Sequence, residues 1–285
     1  MSSPLKPVEP ARRVLRIPRA RRSVESIPAP VALTPEEAGW LPDGAANAFG
    51  SAQSRRWRLA RAITVRLVAY AALAYTAWWL APVSIVFYIA VPAAYLVVFA
   101  TVAHARYIAR LRDATPVRLP VSPDVLAPFG VALLEVRVGP PGMAPGISYR
   151  HFNRAWLILS PFTISDRAYL QFVFGHESAH AIRNDTLRFR LDVALTLALV
   201  TCAVVGLDAL VVAEAVVVAG IWRVASRWRC EVACDSAAVR ARGIADMTAF
   251  MEALTAEPRP LPRQALDLLA HPPMSWRLRW QVRRA

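Results

Sequence analysis

Cysteine is scarce in this chain, and acidic side chains are outnumbered. Three cysteines (Cys202, Cys230 and Cys234) cannot build a disulfide framework, and the odd number suits a reducing compartment better than a secreted one. Cys202 lies inside an apolar run. Cys230 and Cys234, four apart with no matching partner motif, read as helix-packing residues rather than as a metal pair. No internal repeat is evident. A signal peptide is excluded as well: no apolar core follows the early arginines, and the first such run starts near residue 63. Arg12-Arg13 fails as a twin-arginine signal on the same ground.

What is abundant is apolar surface and positive charge together. The chain of 285 residues is 56% hydrophobic, with 34 Lys and Arg against 20 Asp and Glu and a net charge of +14. Its mean hydropathy is +0.34. Soluble domains seldom combine the two, whereas apolar spans with basic flanks raise both numbers at once. Nucleic-acid binding would need the arginines gathered on a folded face with aromatic stacking platforms. Here they sit in a Pro-rich N-terminal stretch (Arg12, Arg13, Arg16, Arg19, Arg21, Arg22) and at the ends of apolar runs, which points to membrane lipid and not nucleic acid.

Residues 1 to 54, rich in Pro, Arg, Ala and Ser, read as a disordered basic tail on the cytoplasmic side. A transmembrane hairpin is expected over 55–112. Its spans are 63–81 and 83–102, separated by Pro82, each close to the ~20 residues that cross a ~30 Å hydrocarbon core. Trp78, Trp79 and Tyr88 suit an interface belt, and Arg66, near one end, is expected to snorkel. Arg55, Arg56, Arg58 and Arg61 precede the hairpin, and Arg106, Arg110 and Arg112 follow it. The positive-inside rule therefore puts both ends in the cytoplasm.

Residues 113 to 285 form the remaining domain. Runs over 131–138 and 155–160, separated by Gly139-Pro140-Pro141-Gly142, predict a small β element. Ser165 or Asp166 is the expected N-cap of the next helix. A second apolar stretch over 191–222 is too long for one span and short for two. With Gly206-Leu207-Asp208 as a turn and basic flanks at both ends, it reads as a helical hairpin.

His176-Glu177-Ser178-Ala179-His180 lies on the predicted helix. With five His and ten Glu in the chain, chance gives about 0.003 such matches. Spacing of i and i+4 puts both imidazoles on one helix face, a turn apart, able to share a tetrahedral zinc, with Glu177 beside them as general base. A catalytic zinc takes three protein ligands. His104, His151 and His271 remain, none at a short spacing after the motif. Glu231 is the better candidate, as ligand or as a solvated helix carboxylate. Asp235, one turn on, is placed to hold a ligand histidine by its second ring nitrogen.

The set His176-Glu177-x-x-His180, Asn184-Asp185, a hydrophobic hairpin, Ser226-Arg227, Glu231-x-x-x-Asp235 and His271-Pro272…Arg277 resembles the membrane gluzincin peptidases, namely the HtpX heat-shock proteases and the CAAX prenyl proteases. Glu231 to Asp235 equally resembles the BlaR-type sensor peptidases. Ser178 departs from the bulky apolar residue usual there, and Cys234 from the usual Ala. The resemblance covers about residues 60 to 285. It implies a mainly α membrane protein in which a zincin-like α+β metalloprotease domain carries an inserted hydrophobic hairpin. It further implies one zinc ion on His176, His180 and Glu231, Glu177 as catalytic base, and Asp235 and Asp185 supporting the ligands. His271 and Arg277 would lie near the substrate or the transition-state oxyanion.

The expected activity is therefore zinc-dependent endoproteolysis of membrane or misfolded proteins, with protein or peptide as substrate, at the cytoplasmic face of a bacterial plasma membrane. A receptor that signals by cleavage would need a sensor region outside the membrane, and no stretch is long enough. A zinc-stapled scaffold would need a closed site of four ligands, against which Glu177 argues. If His176, His180 and Glu231 share a metal, the 191–222 stretch must cross the membrane an even number of times, or not at all.

Overall fold

The computed structural model describes residues 52–80, 84–116, 123–206, 209–256 and 267–283. Almost all of the Pro-rich tail, Pro82 and the predicted turn residues Leu207 and Asp208 lie outside them. Two long helices come first, α1 (Ala52–Leu80) and α2 (Ile85–Arg112). Both overrun the predicted spans of 63–81 and 83–102. A helix satisfies its own backbone whatever its side chains, so it continues through the basic flanks where the apolar run has stopped. Both are long and apolar enough to cross a membrane. Their apolar side chains point outward: Val68 is 62% exposed, Ile89 68% and Val97 66%. Exposed apolar surface of this extent marks a region suited to contact with a membrane or a partner protein.

A four-stranded mixed sheet follows, built from β1 (Thr115–Pro116), β2 (Ala132–Val138), β3 (Gly146–His151) and β4 (Arg154–Leu159) in the order β1-β2-β4-β3. β2 runs parallel to β4, and the other two pairs are antiparallel. The predicted strands at 131–138 and 155–160 correspond to β2 and β4. β3 was not expected, and it forms an edge of the sheet.

The short helix α3 (Pro161–Ile164) and the long α4 (Arg167–Arg183) come next. Asp166 is the cap of α4: its Oδ1 accepts from the amides of Ala168 (2.8 Å) and Tyr169 (3.2 Å), two of the four donors a helix start leaves open. α4 is buried on nearly every face. Leu170, Phe172, Val173 and Phe174 enter the main core, with Leu157 and Leu159 of β4 below and Phe250 and Met251 beyond. Asn184 ends α4 in the left-handed conformation (φ 56°), which Asn tolerates better than most residues.

The chain then turns directly into α5 (Asp185–Gly206), followed by α6 (Ala209–Arg242), α7 (Ile244–Ala256) and α8 (Met274–Val282). The predicted 191–222 hairpin is the distal part of α5 and α6, both of which extend well past it towards the sheet domain. It returns to the side it leaves from. Ser226 of α6 donates to Asp192 of α5 at 2.8 Å, and Arg66 of α1 grips the same carboxylate through Nε (2.6 Å) and Nη2 (2.9 Å). Arg66 therefore does not snorkel. A bidentate carboxylate partner offers an enclosed guanidinium more than a bent path to the interface.

Small residues bring α4 and α6 together. A Cβ on Gly175 would stand 3.4 Å from that of Ala238, and Ala179, Cys234, Ala237 and Ala241 share the same core. Larger side chains here would hold the two helices apart, and with them the residues that each contributes to the site.

Candidate metal centre

His176 and His180 leave α4 one turn apart, and their Nε2 atoms lie 3.1 Å from each other. Glu231, from the facing turn of α6, closes the group. Its Oε2 is 3.4 Å from His176 Nε2 and its Oε1 is 3.5 Å from His180 Nε2. Ligands at ~2.0–2.2 Å from a tetrahedral zinc lie ~3.3–3.6 Å from one another. The observed separations fall at or just inside that spacing, with the carboxylate straddling the two rings.

The other ring nitrogens are tied down. His176 Nδ1 lies 2.9 Å from Asp235 Oδ1, and His180 Nδ1 lies 3.0 Å from Asp185 Oδ2. With each Nδ1–H donating to a carboxylate, both neutral imidazoles present an Nε2 lone pair to the same point. Two lone pairs and a carboxylate converging there repel unless a cation or a proton lies between them. Burial disfavours a charge on His176, but the Asp235 and Glu231 carboxylates beside it outweigh burial and raise its pKa. Burial likewise works against Glu231, yet His176, His180 and His271 hold it well below the usual carboxylate range. Glu231 Oε2 is buried with no aligned hydrogen-bond donor. A site of this kind can exchange its protons for a metal ion. The donor set of two nitrogens and one carboxylate oxygen fits zinc.

The carboxylates that hold the rings are held in turn. Asp235 is fully buried and takes a bidentate grip from Arg277, Nε at 2.7 Å and Nη2 at 2.6 Å. Burial would push its pKa up, but the guanidinium prevails and keeps it below the usual range. Asp185 stands at the first turn of α5, where helix amides favour negative charge, with Arg183 Nε at 3.0 Å and Arg188 Nη1 at 3.5 Å.

Arg277 is thus committed to Asp235. His271 stands on the cavity side, its Nδ1 3.0 Å from Glu231 Oε2 but off the hydrogen-bond direction. Of the two residues linked to the oxyanion by resemblance, only His271 is exposed enough to meet a ligand, with 38% of its side chain open against 6% for Arg277.

A second group that could hold a metal, His180, Asp185 and Cys234, overlaps the first. It is the poorer cradle. Asp185 is already engaged by two arginines, and burial pushes the Cys234 thiol up to about 12. The protonated thiol points at Asp185 Oδ2 from 3.5 Å as a weak donor. The expectation that Cys230 and Cys234 only pack is therefore incomplete, since Cys230 also reaches Asp185, at 3.7 Å.

Glu177 projects into a cavity of about 1850 Å³ that the two histidines and Glu231 also line. It abuts Gly146 at the start of the edge strand β3. A Cβ on that glycine would fall 2.7 Å from Glu177 Cγ and 2.9 Å from its Oε1. Only glycine allows so close a pass, a requirement that sequence reasoning missed. Ser178, in contrast, is wholly buried, and its Oγ has no partner. No family model, curated protein or solved structure matches the chain.

Proposed function

We propose that the chain is a membrane-bound zinc endopeptidase whose site opens at the cytoplasmic face. The observation that carries this reading is the convergence of His176 Nε2, His180 Nε2 and Glu231 at zinc-ligand spacing, with Glu177 next to them on the cavity wall. His176, His180 and Glu231 hold the ion. When bound, zinc acidifies a water and polarises a carbonyl.

The protein's own groups do the rest. Asp235 and Asp185 fix the two rings in the tautomer that keeps Nε2 free for the metal. Glu177 accepts a proton from the attacking water at a carboxylate oxygen and delivers it to the leaving amide nitrogen. Edge strand β3 has one side free of strand partners and lies along the cavity. It can pair with an extended substrate backbone beside Glu177. The apolar, outward-facing α1 and α2 anchor the site at a bilayer, and the basic ends at Arg106, Arg110 and Arg112 favour a cytoplasmic location.

The test is cleavage of casein by the full chain in detergent. Chelation should abolish it, zinc should restore it, and Glu177→Gln should eliminate it while the metal stays bound. Cleavage at the wild-type rate by Glu177→Gln overturns the mechanism.

A further inference from the structure

The cavity that holds the metal ligands is far larger than a catalytic pocket needs. It runs from His176 past β3 to Phe99 and Val102 on the apolar α2, and across to Phe189 and Val193 at the start of α5. Five arginines line that extension: Arg106 and Arg110 from α2, Arg190 from α5, and Arg223 and Arg227 from α6. Among the described residues, none of the five has a carboxylate within ion-pair distance. Arg223 and Arg227 both stack on one ring, that of Phe189, with guanidinium carbons 5.4 and 4.9 Å from its centroid. Arg190 instead donates to the Tyr149 hydroxyl at 3.0 Å.

Three carboxylates that line the same cavity are already committed. Asp185 meets Arg183 and Arg188, Asp192 meets Arg66, and Glu231 faces the two histidines. Asp113 and Asp267 also line the cavity. Five arginines from three helices, none of them ion-paired among the described residues, thus line one cavity and give that part of it a basic lining. The stacking on Phe189 fixes two of them in place without neutralising their charge. Concave walls of one sign focus the field and concentrate ligands of the opposite sign.

We propose that this arginine wall selects the substrate: polypeptide segments rich in Asp and Glu near the membrane surface, with the acidic residues set against Arg106, Arg110, Arg190, Arg223 and Arg227. The inference rests on the endopeptidase reading of the site and adds a substrate class to it. An acidic segment supplies the carboxylates these arginines lack, and Arg pairs with carboxylates in a fork geometry. The apolar residues Phe99, Val102 and Val193, which line the same cavity, suit the membrane-proximal end of such a segment.

The test uses the full zinc-loaded chain in detergent and three intramolecularly quenched peptide libraries, identical except that three flanking positions are all Glu, all Gln or all Lys. Cleavage of the Glu library should exceed that of the Gln library by about tenfold at low salt, through KM rather than kcat, and the Lys library should be poorest. The Glu-to-Gln ratio should fall towards one as salt rises. It should also fall towards one in Arg223→Gln/Arg227→Gln, while Arg223→Glu/Arg227→Glu should shift the preference towards the Lys library. Binding of the labelled Glu and Gln peptides to Glu177→Gln, followed by fluorescence anisotropy, separates selection from chemistry. Tighter binding of the Glu peptide without any cleavage by wild type supports the wall and overturns the endopeptidase reading. Equal binding of the two peptides overturns the wall. So does a charge preference that the arginine variants leave intact while they lose affinity for phosphatidylglycerol vesicles, since the arginines would then serve lipid headgroups.

Discussion

Asp235 receives three buried donors: Nε and Nη2 of Arg277 at 2.7 and 2.6 Å, and Nδ1 of His176 at 2.9 Å. Asp235→Asn preserves the shape, removes the charge and turns one acceptor into a donor that faces another donor. Two separate losses follow. Arg277 becomes a buried cation whose nearest carboxylate is Glu231, 3.8 Å away. Removing one partner of a buried pair costs about 3–5 kcal/mol, so the metal-free chain should lose stability on that scale. His176 meanwhile loses the group that fixes its tautomer, and changes of this kind weaken metal binding about 10–100-fold. Thermal unfolding of the metal-free chain in detergent reads the first loss. Competition with a chromogenic chelator reads the second. Adding Arg277→Leu removes the stranded charge, so the double variant should regain much of the stability and none of the zinc affinity. Zinc affinity within twofold of wild type in Asp235→Asn, or no recovery of stability in the double variant, would refute the reasoning.

Two further substitutions probe other parts of the structure. Gly146→Ala drives a methyl into Glu177 and Val173, at 2.7 Å from Glu177 Cγ and 2.8 Å from Val173 Cγ1. Peptide cleavage should fall about a hundredfold for a displacement near 1 Å, while zinc content measured by metal analysis stays at wild-type level. Asp192→Ala strands Arg66 between α1, α5 and α6 and should destabilise by about 3–5 kcal/mol. The Arg66→Leu/Asp192→Leu pair, compared by thermal unfolding in detergent, should recover most of that loss.

The parts legible in the sequence are those set by local periodicity. An i, i+4 pair on a helix converges whatever the surrounding fold, so His176 and His180 needed no structure to be paired. The Asp166 cap and the two apolar helices follow from equally local rules. Glu231 was half legible: its spacing to Asp235 suggested a role, but only the close approach of α4 and α6, through Gly175 and Ala238, brings it to the histidines. Arg66 was misread because its partner Asp192 is 126 residues away. A snorkelling arginine and a paired one look alike in sequence. β3 gave no alternating signal, since Gly146 to His151 mixes polar and apolar residues on an edge strand. The demand for glycine at 146 comes entirely from the opposing helix. Asp185 was drawn in by resemblance alone, and the cause is now visible: Asn184 turns the chain so that the first residue of α5 meets His180.

The measurement closest to the central claim is zinc K-edge X-ray absorption on the full chain loaded with one equivalent of zinc. Coordination by His176, His180 and Glu231 predicts a shell of nitrogen and oxygen at ~2.0–2.1 Å, two imidazole scattering patterns and no sulfur. A sulfur contribution at ~2.3 Å would place the ion on His180, Asp185 and Cys234 instead and contradict the account.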